Sequence, residues 1–336
     1  MFYLKKTINL DMKKMKKYPE DTLILNDRYI VNVPPISEGN TENIYVIRDI
    51  TGEEKVIKLF LNENGNFEKE EKIFKEVSES DISSAIIKYY ESGIGTLTCN
   101  LRKRKKKYIM MELATQGNLN DSIPKEKGFS EDICKFVFSE CLKGIELLHK
   151  KGISHRDIKG HNFLLVGDNF NIKLCDFGLS TKFVNENNSK IRLKERVGTR
   201  HFKAPEILEY KEYDGDKIDI FSTGVLLFIL RTGKMAFDNA VVNDNIYQYI
   251  ANKNYNQYWA ILENDYNLTP LSDKFKNLFV KLVAYYPEER PSIEEIRKDE
   301  WMQDMLNLND EQLKELREKM KEEIKNNKFD DIPFEQ

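Results

Sequence analysis

The sequence predicts an α+β protein, with a strand-rich first third and a mainly helical remainder. Three observations carry this expectation. The runs RYIVNV (28–33), KVIKLF (55–60) and KYIMMEL (107–113) are rich in β-branched and aromatic residues and short enough to be strands. From residue 130 onward longer apolar segments dominate; the first opens on Ser130, carries acids in its first turn and stops at Gly152, as helix-capping rules require. Between the helical segments lie polar loops that hold Asp, Asn and Lys at close spacing.

Taken in order, residues 1–25 are Lys-rich with scattered Met, Leu and Ile, and read as an N-terminal extension. Strand-like sequence begins at Arg28, is interrupted by Pro34-Pro35 and continues as ISEGNTENIYVI. The next segment, NFEKEEKIFKEV, places Phe67, Ile73, Phe74 and Val77 on one helical stripe, with Glu70 on the same face. AIIKYYESGI and KYIMMEL read as the last two strands of this region. Between them sits RKRKKK, Arg102 to Lys107. Such a run suits a nuclear-localisation or nucleic-acid patch or a charged turn, and its location between adjacent strands favours the turn.

Net charge is −3, so no global pull toward nucleic acid or a membrane surface is expected. The longest apolar run, Val225–Leu230, falls far short of the ~20 residues of a membrane span. No secretory signal or lipidation motif is read at the ends. The four cysteines show neither a C-x-x-C pair nor metal-ligand spacing, and a reducing, cytoplasmic setting is the economical expectation, with the nucleus as the alternative through Arg102–Lys107.

The chemistry concentrates between His155 and Glu206. HRDIKGHN puts Asp157 and Asn162 five apart on a polar loop, with Lys159 between them. Fourteen residues after Asn162, CDFG places Asp176 behind the strand-like run Asn171–Cys175, and KAPE closes an irregular segment at Glu206. Two oxygen ligands on separate loops suit Mg²⁺, which takes a few protein oxygens plus substrate phosphates. A third carboxylate beside them can accept a hydroxyl proton. Phosphoryl transfer needs these parts, because its catalysis is mostly positioning and charge neutralisation.

In these motifs the sequence resembles the protein kinases, over roughly residues 26–302. The resemblance implies a bilobal fold: a small lobe with a five-stranded antiparallel sheet and one helix (26–112), a larger mainly helical lobe (113–302), and a C-terminal amphipathic helix and tail (303–336). It implies Asp157 as catalytic base, Lys159 steadying the transferred phosphate, and Asn162 and Asp176 as metal ligands. KVIKLF resembles the phosphate-lysine strand, which makes Lys58 the phosphate-binding lysine, with Glu70 its ion-pair partner and Glu71 the near competitor. ATP and Mg²⁺ are the implied cofactors. Ile36, Gly39, Ile44, Val56, Lys58, Met111, Glu112, Ala114 and Leu164 are the implied nucleotide-binding positions, with Met111 as gatekeeper and Glu112, Leu113 and Ala114 as the hinge facing adenine.

The glycine-rich loop departs from the family's pattern. Aligned on Ile44, it has Ser37, Gly39 and Glu42 where three glycines are usual, which puts a carboxylate near anionic phosphates. The leading expectation is an ATP-dependent serine/threonine protein kinase. A pseudokinase or scaffold is the alternative raised by the degraded loop, and a small-molecule kinase is disfavoured by the full activation segment ending in APE. The Lys159/Thr199 pair is the serine/threonine pattern, DGDKIDIFSTGVLLFILRTGKMAF resembles the family's central helix, and the region after it resembles the calcium/calmodulin-dependent-kinase-like group. Protein substrates are the implied partners. Leu313, Leu316, Met320 and Ile324 form one stripe on a helix starting near Asn309 or Asp310, to be buried on the large lobe, on a partner or second copy, or over the active site.

Overall fold

The computed structural model describes residues 23–62, 66–79, 83–99, 102–266, 268 and 270–330. The chain divides into two compact units: one runs to Glu79 and resumes over Ile87–Leu113, the other holds Ser80–Ile86 and everything from Ala114.

The small unit is a sheet with one helix. Its strands are β1 (Leu23–Leu25), β2 (Tyr29–Val31), β3 (Ser37–Glu38), β4 (Glu42–Arg48), β5 (Glu54–Phe60), β6 (Tyr89–Cys99) and β7 (Arg102–Met111). They are ordered β2-β1-β6-β7-β5-β4-β3, every pair antiparallel, and β2 also pairs with β4. The sheet therefore has seven strands, not the expected five. The extra ones arise because β1 and β2 are separated by the turn at Asn26 and Asp27, both at positive φ, and because Pro34-Pro35 separate β2 from β3. Leu23–Leu25, assigned to the extension by sequence, pair with β2 and β6 and belong to the sheet; the rest of the extension lies outside the described residues. One face buries Leu25, Tyr29, Val31, Ile47, Ile57, Leu59, Tyr108 and Met110 together. Helix α1 (Phe67–Ser78) turns Phe67, Glu70, Ile73, Phe74 and Val77 inward.

The basic run corrects a second expectation. Arg102–Lys107 is not a turn; it is the first half of β7, in register with β6 from Cys99↔Arg102 to Ile94↔Lys107. The β-branched Thr96 and Thr98 favour the partner strand, and Arg102–Lys105 are exposed while Lys106 and Lys107 are half-buried.

The large unit is built on two buried helices, α2 (Glu131–Lys150) and α4 (Gly215–Thr232), with the short α3 (Pro205–Leu208) between them in sequence. Around them pack α5 (Tyr247–Ala251), α6 (Tyr255–Tyr266), α7 (Asp273–Leu282) and α8 (Ile293–Lys298). Two hairpin-like pairs carry the polar loops: β8 (Ile153–Ser154) with β11 (Thr181–Lys182), and β9 (Phe163–Val166) with β10 (Asn171–Leu174).

The second half of the C-terminal stripe is buried within the chain's own large unit, while Leu313 and Leu316 are half-buried. Helix α9 (Asp310–Asp330) is capped by Asn309, whose Oδ1 accepts from Gln312 N at 2.9 Å while Gln312 Oε1 accepts from Asn309 N at 3.0 Å. Met320 and Ile324 are fully buried. Arg317 Nη2 reaches Glu140 of α2 at 3.4 Å, and its guanidinium lies 5.3 Å from the Phe136 ring centroid. Ser130, at the start of α2, does not cap that helix with its hydroxyl; its backbone N–H donates to Glu323 Oε2 of α9 at 3.1 Å and its hydroxyl to the same carboxylate. Among the described residues no helix is long and apolar enough to cross a membrane.

Candidate active site

The loop after β8 is held from behind by α4. Asp219 accepts the backbone N–H of His155 at 2.8 Å (Oδ2) and of Arg156 at 2.8 Å (Oδ1), and His149 Nε2 lies 2.9 Å from Oδ2. These bonds hold the loop at Arg156, whose φ is +67°. On its other side the loop is tied to the strand end by His155 Nε2, 3.0 Å from the Cys175 carbonyl, and by Cys175 N, which donates to the Asn162 carbonyl at 2.9 Å.

Asp157 is the centre of the cluster. Its Oδ1 accepts from the Thr199 backbone N–H at 2.9 Å and from the Thr199 hydroxyl at 2.7 Å. Its Oδ2 lies 2.8 Å from Lys159 Nζ and accepts from Asn162 Nδ2 at 3.2 Å. Lys159 Nζ also donates to Thr199 Oγ1 at 2.8 Å, so the three side chains bond mutually. Gly198 makes this approach feasible: it sits at φ +94°, and a Cβ there would lie 2.5 Å from the Arg156 carbonyl oxygen. Burial pushes the Asp157 carboxyl up, but the Lys159 and Thr199 hydrogen bonds outweigh it and hold the carboxyl below its ordinary range. Asp157 is therefore an anion at neutral pH, as a proton acceptor must be.

Asn162 spends its Nδ2 on the Asp157 carbonyl at 2.8 Å and on Oδ2, so its amide oxygen is the atom left to face a cation. Asp176 follows β10 at φ +63°, and its Oδ1 accepts from Gly178 N at 3.5 Å. One amide oxygen and one carboxylate are hard donors, too few for an all-protein cage, and among the described residues no group of three acidic, His or Cys side chains could hold a metal. That donor set fits Mg²⁺ shared with phosphate oxygens.

In the small unit, Lys58 Nζ is bracketed by the Glu70 carboxylate at 2.9 and 3.0 Å, and both side chains are buried. Glu71 goes elsewhere, to Lys75 at 2.8 Å and to the Ser92 hydroxyl. The register Ser37↔Ile44 and Glu38↔Asn43 makes Gly39 part of the tight turn between β3 and β4, where its N–H donates to the Glu42 carbonyl at 2.9 Å. The Glu42 carboxylate turns inward, with Oε1 3.5 Å from Lys58 Nζ. Val56 is buried opposite Met111, which is also buried. Glu112 exchanges bonds with Lys88: its N–H donates to the Lys88 carbonyl at 2.9 Å, and its Oε2 accepts from Lys88 N at 3.1 Å. Ile36 is exposed and Ile44 half-buried. In the large unit, Ala114 and Leu164 are half-buried, and Leu164 bridges to Asn118.

Residues 32–302 match the family model described as Protein kinase domain. The chain belongs to the protein kinase family. The serine/threonine-protein kinase chk1 of Schizosaccharomyces pombe is 34% identical over 188 residues, 54% of this chain and 37% of that protein. The CBL-interacting serine/threonine-protein kinase 8 of Arabidopsis thaliana is 36% identical over 203 residues, 60% of this chain and 42% of that protein. The CBL-interacting protein kinase 26 of Oryza sativa is 30% identical over 288 residues, 85% of this chain and 54% of that protein. The chain thus spans about a third to a half of the length of the curated relatives it matches. As in the family generally, ATP and a divalent metal are the expected reactants.

The residues that sequence reasoning did not single out are His155, His149 and Tyr213. His155 carried a signal, since it heads the HRD triplet. Tyr213, which donates to the Glu195 carbonyl at 2.6 Å, carried none; only the fold brings it to the activation segment.

Proposed function

We propose that the chain transfers the γ-phosphoryl group of ATP, with Mg²⁺, to serine and threonine hydroxyls of protein substrates. The observation that carries this is the Asp157–Lys159–Thr199 triangle, in which a carboxylate held anionic stands beside a cation on the loop that also bears Asn162. Bound Mg²⁺ and ATP supply charge neutralisation and the phosphoryl group. Asp157 orients the acceptor hydroxyl and takes its proton, while Lys159 holds the transferred group's negative charge. Asn162 and Asp176 would hold the metal, and Lys58, steadied by Glu70, the ATP phosphates. Ile36, Gly39, Ile44, Val56, Met111, Glu112, Ala114 and Leu164 would line the nucleotide. The kinase lobes would be 26–112 and 113–302.

The intact Lys58–Glu70 pair and the Asp157 cluster speak for an active enzyme over a pseudokinase. For the substrate, Arg200, His201 and Lys203 follow Thr199; Arg200 Nη2 lies 3.8 Å and His201 Nδ1 3.2 Å from the Asp238 carboxylate. Lys203 has no carboxylate partner among the described residues, and burial followed by the nearby Arg196 charge lowers its pKa. Where arginine-directed kinases have carboxylates, this chain has Asn118, His161 and Ile229. Acidic side chains near the acceptor, without a required upstream arginine, fit this charge pattern. A peptide array tests both points: serine and threonine acceptors without arginine selection are expected, and tyrosine acceptors or a strong requirement for arginine two or three residues upstream would contradict the reading.

A further inference from the structure

The basic run forms an open sheet edge. Strand β5 meets β7 only over Tyr108–Met111, from Leu59↔Tyr108 to Val56↔Met111. Toward its start, β7 is paired on the β6 side alone, and among the described residues no other strand lies against it. About half of the backbone N–H and C=O groups of such a strand point away from its one neighbour, so, among the described residues, 102–106 present a row of unpaired donors and acceptors.

The charges on this edge are also uncompensated. The β6 residues opposite are Cys99, Thr98, Leu97, Thr96, Gly95 and Ile94, none of them acidic. Lys107 pairs with Glu68 at 2.6 Å, and Lys106 Nζ donates to the Leu61 carbonyl at 2.8 Å. Arg102, Lys103, Arg104 and Lys105 are exposed and, among the described residues, have no carboxylate within salt-bridge distance. Lys103 and Lys105 share the face of Lys107, and Arg102 and Arg104 share the other, so cations on one face repeat about every 6.8 Å.

We propose that the Arg102–Lys106 edge is a docking strand for an extended acidic segment of a partner protein, which adds beside β7 and sets its carboxylates against these cations. Lysines on an open edge keep two copies of a chain from pairing. The same charges attract a strand that carries carboxylates at alternate positions, whose 6.8 Å side-chain repeat matches theirs (about two residues per repeat). Two features favour a peptide over nucleic acid. The open backbone groups have natural partners in a peptide strand. The chain is net −3 despite the six cations here, so the remainder is acidic and repels a long polyanion but not a short segment.

The test is fluorescence anisotropy with a labelled peptide alternating Glu and Val, which offers no hydroxyl to the active site. Its companions are the same peptide N-methylated at alternate residues, labelled oligothymidylate, and phosphatidylserine vesicles. Salt-sensitive binding is expected. N-methylation, the Lys103→Glu/Lys105→Glu variant, and the milder Arg102→Ala/Arg104→Ala variant should each weaken it by about tenfold, a change of one decade in Kd. Both variants should keep wild-type melting and phosphoryl transfer to a generic substrate, which separates this surface from the active site. Absence of peptide binding, binding untouched by the charge changes, or equal binding of the N-methylated peptide would overturn the proposal. Tighter binding of oligothymidylate or vesicles, lost in the same variants, would also overturn it.

Discussion

Arg156 Nη1 donates to Glu195 Oε2 at 2.6 Å, which ties the catalytic loop to the activation segment through a carboxylate in the chain itself. The guanidinium is almost wholly buried and also donates through Nε to the Leu179 carbonyl at 2.6 Å, whereas the Glu195 side chain is 63% exposed. The buried guanidinium is thus met by a single carboxylate, a weaker partner than a phosphate of about −2 with three acceptor oxygens would be.

Wild-type protein treated with phosphatase should therefore remain active. Glu195→Gln and Glu195→Ala should each lower kcat/KM by about threefold to tenfold, because one partner is solvent-exposed while the other stays buried and charged. Loss of activity in dephosphorylated wild type, or full activity in both variants, would refute this role for Glu195.

Glu42→Gly should lower the KM for ATP by about threefold to tenfold. It removes a carboxylate 3.5 Å from Lys58 Nζ, where phosphate oxygens are expected. Adenosine, which has no phosphates, should bind wild type and variant equally. An unchanged or raised KM for ATP would show that Glu42 does not compete for Lys58.

The Asp157 carboxyl should titrate below the ordinary aspartate value of about 3.9. Its depressed folded-state pKa means that its stabilising contribution is complete above the unfolded value and is lost as pH falls through the folded one. Thr199→Val removes the hydroxyl at 2.7 Å, so a carboxyl ¹³C titration should find the midpoint of Asp157 higher than in wild type. A midpoint that is unchanged or lower would remove Thr199 from the causes.

Met320→Ala or Ile324→Ala should each destabilise the folded chain by about 2–5 kcal/mol in denaturant melts, as for other fully buried side chains. Values near zero would mean that α9 detaches at little cost.

Much of the site was legible because its parts are local in sequence. The spacing of Asp157, Lys159 and Asn162 fixes their loop, and the choice of Glu70 over Glu71 followed from the side of α1 that carries its apolar stripe. Ser37 pairs with Ile44 and Glu38 with Asn43, so the turn that holds Gly39 joins β3 to β4. Which way the Glu42 side chain turns was not legible, because a strand residue shows its side but not its partner. The strand count failed where turns and prolines divide one run into several pieces. The basic run misled because six charges in a row look like a turn, while the neighbours that make it a strand lie on β6. The Ser130–Glu323 contact joins residues 193 positions apart, beyond any local rule.

Phosphoryl transfer tests most directly whether the large unit carries a working base and metal site. With γ-labelled ATP, Mg²⁺ and a generic protein substrate, wild type should label serine and threonine. Asp157→Asn should lower the rate by about 10²–10⁴-fold while keeping ATP binding, and Asp176→Ala should lose both activity and Mg²⁺-dependent nucleotide binding. Equal loss of nucleotide binding in the two variants, or labelling that persists at the wild-type rate in Asp157→Asn, would contradict the account.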